Sequence, residues 1–324
     1  RQAYDLLAEG FGPGFSGPLL VAVDTSNVTT QEIMSLAVAL QNDAGVAFVQ
    51  APDQSPVGEA ATILVFPTTA PQDPETVELL NRIRGPIFDS VLSDGVKVHV
   101  GGSTASFADV SDRVQSRLPI FIAGVIALSF ILLMLVFRSI LVPIKAALLN
   151  LLSIGSAYGV LVMVFQWGWG RSLIGLEEAV PIVSFIPMFM FAVLFGLSMD
   201  YEVFLLSRVK EEYLLSGDNS QSVISGISNT ARVITSAALI MISVFLGFVA
   251  NPDPIMKMMG LGLATAIFVD ATIVRVVLVP ASMKLLGDAN WWFPKRLAWL
   301  PRLDIEGEQR LPAREYNSAG QTTD

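Results

Sequence analysis

The stretch Phe195-Gly-Leu-Ser-Met-Asp-Tyr-Glu-Val-Phe-Leu-Leu-Ser-Arg208 places Asp200 and Glu202 inside an apolar run that begins near Pro181. A carboxylate at membrane depth costs at least ~2.5–3.5 kcal/mol on insertion scales, so such residues face a bundle interior and handle protons, ions or polar groups. This run, 181–206, is the third of five; the others cover 118–137, 141–165, 232–250 and 255–280. At 1.5 Å per residue each is long enough for a ~30 Å hydrocarbon core. The reading is a membrane all-α bundle of five transmembrane helices over 118–286. An interfacial segment and tail, 287–324, follow. In it Trp291-Trp-Phe-Pro-Lys-Arg296 reads as an interfacial anchor, and the polar chain after Arg302 as disordered.

Composition agrees. The 324 residues are 52% hydrophobic and only 15% charged, with a mean hydropathy of +0.59; a soluble domain carries about 25% charged residues. A net charge of −9 without a basic stripe excludes a nucleic-acid partner. With no Cys and a single His, there is no disulfide, no thiolate chemistry and no His-cluster metal site, and no cofactor signature. His99, Asp94 and Ser103 have the residue types of a hydrolytic triad, but nothing fixes their geometry. Gly101-Gly102 lacks the spacing of a nucleotide loop. No span holds a nucleophile with a His, so no enzyme is expected.

Residues 1–117 read as a separate α+β domain. Strands fall at 18–25, 46–50, 61–66 and 96–100, with a turn at Pro52-Asp-Gln-Ser-Pro56. Helices fall at 29–43 and from Pro74 onward. The order is β-α-β-β-α-β, a split βαβ unit, and a last helix, 103–116, leads to the first span. Lys and Arg in short loops orient the chain. Arg138, Lys145, Arg208, Lys210, Arg232, Lys284, Lys295 and Arg296 lie on one side, against Arg171 and Lys257 on the other. The first side is read as cytoplasmic and residues 1–117 as extracytoplasmic. Trp167 and Trp169 suit the outer interface. The chain starts at Arg1 without an initiator Met, and one more span is needed to bring residue 1 outside. A C-terminal piece of a longer protein is expected.

Gly196 lies one turn before Asp200, and Gly262 and Ala266 precede Asp270 at the same spacing. Small residues four apart let helices approach closely. The two ridges suggest one packed polar core holding Asp200 and Asp270, with Tyr201 as a hydroxyl partner. A carboxylate poised between burial and such a neighbour can load a proton on one side and release it on the other. The alternative is a satisfied buried hydrogen bond that only sets register. For Asp270, Arg275 or Thr235 could simply neutralise it. Glu202 points to another helix face and need not join the cluster. Arg275 lies near the inner end of its span, where it can snorkel and act as a structural counter-charge.

These stretches resemble the C-terminal half of an MmpL-type transporter (MMPL family) of the resistance-nodulation-division superfamily. The likeness is carried by Ala3-Tyr-Asp-Leu-Leu-Ala-Glu-Gly-Phe-Gly-Pro-Gly14, Val136-Phe-Arg-Ser139, Phe195 to Arg208, Gly260 to Pro280 and Leu286-Gly-Asp-Ala-Asn-Trp-Trp292. The resemblance implies two similar halves, each with an outside porter domain and six spans, using the proton gradient to export lipids, glycolipids or other hydrophobic compounds. It implies that Asp200 and Tyr201 are half of an intramembrane relay whose partners lie in the missing N-terminal half. The expected partners are therefore protons, a hydrophobic or lipid substrate, membrane lipids and that half, in a multi-pass cell-membrane protein. A non-transporting lipid sensor or scaffold is the rival reading.

Overall fold

The structure, a computed structural model, describes residues 2–56, 58–93, 95–294 and 299. Asp94, Lys295, Arg296 and the tail after Arg302 lie outside the described residues. The chain divides into two compact units, Arg1–Leu118 and Pro119–Asp324.

The first unit begins with α1 (Gln2–Phe11) and continues β1 (Leu19–Asp24), α2 (Thr30–Gln41), β2 (Val46–Val49), β3 (Asp53–Gln54), β4 (Ala60–Pro67), α3 (Pro74–Arg82), α4 (Phe88–Val91) and β5 (Val98–Gly101). The strands form one sheet in the order β2-β4-β1-β5, with β3 beside β4 and every pairing antiparallel. Period-two alternation sends Leu19, Val21 and Val23 of β1 and Ala61, Ile63 and Val65 of β4 to one buried face. Ile33, Leu36 and Leu40 of α2, with Leu79 and Leu80 of α3, cover it.

Helix α2 starts where Thr29 and Glu32 cap each other's backbone N–H groups. The Thr29 N–H, the largest cause, holds the Glu32 carboxyl below its ordinary range. Arg82 ties the end of α3 to the turn after α2, donating from Nε and Nη2 to Asp43 at 2.9 and 2.8 Å. One expectation changes here. The segment read as a turn at 52–56 contains β3, because Asp53 and Gln54 find partners in Thr62 and Ala61 of β4.

Helix α5 (Ser103–Phe137) is a single 35-residue helix where two, 103–116 and 118–137, were expected. Pro119 removes one backbone donor, a loss that long membrane helices tolerate. Then come α6 (Leu141–Leu161), extended by a π-helical turn at Val162–Gln166, α7 (Phe185–Ser216), α8 (Asn219–Val249) and α9 (Pro254–Val269). A nine-residue π-helical stretch, Asp270–Leu278, links α9 to α10 (Val279–Leu286). Among the described residues, five helices are long and apolar enough to cross a membrane.

Helices α7 and α8 outrun the apolar stretches that announced them, because caps rather than hydrophobicity set their ends. Gly217, at φ 70°, closes α7, and the Asp218 carboxylate accepts the Ser220 and Gln221 N–H groups that open α8. The core of this unit runs along α7 through Ile186, Met190, Phe191, Leu194, Leu205 and Val209.

Two lysines counted as loop charges are buried instead. Lys145 stands within α6, and Lys257 donates to the carbonyls of Ile174 and Val249. Neither side chain is an exposed loop charge, so both are left out of the charge bias. Arg138, Arg208, Lys210 and Lys284 still outnumber Arg171.

Candidate functional site

The polar centre of the bundle is built where α6, α7 and the π-helical stretch meet. On α6, Asn150 accepts a hydrogen bond from Ser198 Oγ of α7 at 2.7 Å. Ser153, one turn further along α6, donates to the Ala266 carbonyl of α9 at 2.8 Å. The close approach this requires comes from small residues. A Cβ on Gly262 would stand 2.8 Å from Met190 Sδ and 3.1 Å from Leu161 Cδ1.

Asp270 opens the π-helical stretch and Arg275 lies on it. Arg275 Nε and Nη2 stand 2.9 and 2.8 Å from Asp270 Oδ2, and Nη2 donates to the Ser198 carbonyl at 2.7 Å. The guanidinium lies over the Tyr201 ring, 5.1 Å from its centroid, at a range where cation–π attraction operates. Asp270 is 9% exposed and Arg275 6%. Arg275 therefore does not snorkel: a buried carboxylate and the aromatic face outcompete the interface for it. Thr235 shares a cavity with Arg275 on the α8 side, but the ion pair to Asp270 is made by the arginine.

The expected common core of Asp200 and Asp270 is not formed. Asp200 is exposed, and with Phe121 and Val125 of α5 and Phe195 and Met199 of α7 it lines a groove of about 320 Å³ on another side of α7. Gly196 borders the same groove and a Cβ there meets nothing within 4 Å, so it makes no tight helix crossing. Glu202, which need not have joined a common core, is 5% exposed and lines a small cavity with Asp270 and Arg275. The reason is angular. At 100° per residue, Asp200 and Glu202 lie about 200° apart on α7, and Ser198 and Glu202, four apart, share the face that α6 and α9 cover. Tyr201 falls between, half-buried, its hydroxyl 3.6 Å from Met241 Sδ.

Sequence reasoning missed Lys145, Asn150, Ser153 and Ser198. Asn150 and Lys145 carried a usable signal, since each is a strongly polar residue inside an apolar run. Four atoms of the cluster, Lys145 Nζ, Glu202 Oε1, Asp270 Oδ1 and Arg275 Nη1, are buried without a hydrogen-bond partner among the described residues. Unmatched charged groups in an apolar setting are costly and rarely incidental. His99, by contrast, is an exposed residue of β5 paired with Ala22.

Comparison with known proteins agrees with this architecture. The model of the MMPL family matches residues 20–304. The chain is 40% identical over 315 residues to the membrane protein YdfJ of Bacillus subtilis, covering 95% of this chain and 43% of YdfJ. It is 36% identical over 321 residues to the mycolic acid-containing lipids exporter MmpL11 of Mycolicibacterium smegmatis, covering 96% and 33%. It is 38% identical over 306 residues to the heme uptake protein MmpL11 of Mycobacterium tuberculosis, covering 92% and 31%. The chain thus spans less than half the length of these relatives. A family match across nearly all of both units, joined to the five apolar helices and their charged interior, makes this chain a member of the MMPL family of membrane proteins.

Proposed function

We propose that this chain is the C-terminal half of a proton-motive-force-driven exporter of lipids or other hydrophobic and amphiphilic compounds. The reading rests above all on the carboxylate of Asp200, unpaired among the described residues, beside Tyr201 in an apolar groove of a helix long enough to cross a bilayer. A carboxylate placed so is stabilised only by a partner or a proton. In this reading its partner belongs to an N-terminal half, and protonation cancels the charge that holds the halves together. Helix α7 then tilts, and the change reaches an extracytoplasmic porter-like domain formed by residues 1–117. The surviving excess of Arg and Lys around 138, 208–210 and 284 supports a cytoplasmic placement of those loops and of the tail. The name of the M. smegmatis relative supports a lipid substrate; the heme of the M. tuberculosis relative is likewise amphiphilic.

The test is substrate-coupled proton flux in liposomes, with the whole transporter, this chain joined to its N-terminal half, carrying Asp200 or Asn at that position. Loss of coupled flux in a well-inserted Asp200→Asn protein supports the relay. Persistence of flux and export leaves Asp200 as a structural contact and moves the sensor or scaffold reading to the front.

A further inference from the structure

Glu202 and Lys145 are two buried ionisable groups that the relay above does not use. Register puts them at one level of the bundle, within electrostatic reach of each other. The Asn150–Ser198 hydrogen bond aligns α6 and α7, which run antiparallel. Lys145 lies five residues, about 7.5 Å, toward the start of α6, and Glu202 four residues, about 6 Å, toward the end of α7. The two side chains therefore occupy one level, on the side of the loop around Ser139. Glu202 is 5% exposed and Lys145 7%.

Three observations separate this pair from a structural salt bridge. Among the described residues Glu202 Oε1 and Lys145 Nζ have no hydrogen-bond partner, and no ion pair within 4.0 Å joins them. The bundle's structural pair, Asp270–Arg275, is bonded at 2.8–2.9 Å. Finally, a cavity of about 10 Å³, near the room one water needs, is lined by Glu202, Asn150, Asp270 and Arg275. The charged groups within electrostatic reach of Glu202 are Lys145 from α6 and Asp270 and Arg275 from the π-helical stretch.

We propose that Glu202, with Lys145 as its counter-charge, is a second proton-binding site of the bundle, exchanging its proton with water in the cavity it shares with Asn150, Asp270 and Arg275. The proton arrives from water on the side of the 138–141 loop and forms the carboxylic acid of Glu202. It leaves to water in the cavity as a hydronium ion, and the Lys145 ammonium balances the Glu202 carboxylate that remains. No other reactant is required. The role in transport rests on the proton-coupled reading above; the protonation itself does not.

The experiment is an infrared pH titration of this chain in lipid vesicles, together with proton flux in vesicles that hold the whole transporter, this chain joined to its N-terminal half. The expected result is a protonated-carboxyl C=O band that Glu202→Gln removes, that Lys145→Met moves to a different pH midpoint, and that Asp200→Asn leaves in place. Flux falls roughly 100-fold in Glu202→Gln, within the range of a lost proton-transfer group. Because Lys145→Met leaves a carboxylate without counter-charge, the neutral pair Lys145→Met/Glu202→Gln serves as the folding control and is expected to insert normally with the same loss of flux. A titrating band that survives Glu202→Gln, or wild-type flux in the neutral double variant, overturns the proposal and makes the pair structural. Absence of flux in the unaltered whole transporter sinks the transporter reading alone, since the Glu202 band of this chain still decides where the proton binds.

Discussion

Asp270 and Arg275 are five residues apart in sequence and make a buried ion pair of 2.8 Å, because the helix between them is π rather than α. Five residues on an α-helix lie about 140° apart; i→i+5 bonding widens the turn and brings them to one side. The guanidinium also holds the Ser198 carbonyl, so the pair fastens the π-helical stretch to α7.

Removing one partner leaves the other charge buried. Arg275→Met is therefore expected to cost about 3–5 kcal/mol, whereas Asp270→Asn/Arg275→Met recovers most of that loss. Thermal unfolding in detergent checks it: equal midpoints for the single and double variants contradict the pairing. Arg275→Lys does not restore the wild type, since a lysine lacks the forked geometry that reaches both Asp270 and Ser198.

Asp200 gives the opposite pattern. Among the described residues it makes no hydrogen bond or ion pair, so Asp200→Asn shifts the stability of this chain by no more than ~0.5 kcal/mol. On the proposed function the same variant loses proton-coupled export. Unfolding midpoints measured beside liposome flux separate the two effects; a large loss of stability shows that the carboxylate has a structural partner.

Two glycines of the bundle respond oppositely to an added methyl group. A Cβ on Gly260 would stand 2.6 Å from the Phe245 carbonyl oxygen and 2.8 Å from Phe248 Cβ, so α8 and α9 must separate. Gly260→Ala is expected to destabilise by about 1–3 kcal/mol. At Gly196 the space is open, and Gly196→Ala gains up to ~1 kcal/mol of helix propensity. Midpoints moving in the same direction would contradict this packing.

In the first unit, acid weakens the link between α2 and α3. The hydrogen bond from Arg82, the largest cause, holds the Asp43 carboxyl below its ordinary range. A depressed folded pKa means that the stabilisation is complete above the ordinary carboxylate value and is lost as pH falls through the folded one. Amide exchange around residues 40–46 and 79–83 should accelerate below about pH 4. Asp43→Asn should exchange faster already at neutral pH and lose that acid dependence. An unchanged pH profile in this variant would assign the acid sensitivity to another group.

Lys210 of α7 donates to the last carbonyls of α5, those of Val136 and Phe137, at 3.1 and 3.2 Å. A cation at a helix C-terminus satisfies carbonyls that have no intrahelical donor. Lys210→Met is expected to cost about 1–2 kcal/mol and to speed amide exchange in the final turn of α5. Unaltered exchange there assigns these carbonyls to another donor.

Much of the architecture is a local property of the chain. The existence of five membrane-length helices follows from runs such as 118–137 and 255–280, since hydrophobicity over ~20 residues is fixed by composition alone. The strands at 18–25, 61–66 and 96–100 announced themselves through alternation around Val21, Ile63 and Val100 in the same local way. That Asp200 and Glu202 diverge also follows from 100° per residue. Which of the two the bundle buries does not, because both faces of α7 are apolar. Packing decided it: the Asn150–Ser198 contact turned the Glu202 face inward and left Asp200 on the groove with α5. Likewise, spacing placed Arg275 on the wrong side of an ideal helix, and only the π-helical stretch carried it to Asp270. Sequence thus determined the presence, length and carboxylates of the membrane helices, while tertiary structure chose which carboxylates meet, since helix rotation and local winding depend on neighbours that a linear pattern does not contain.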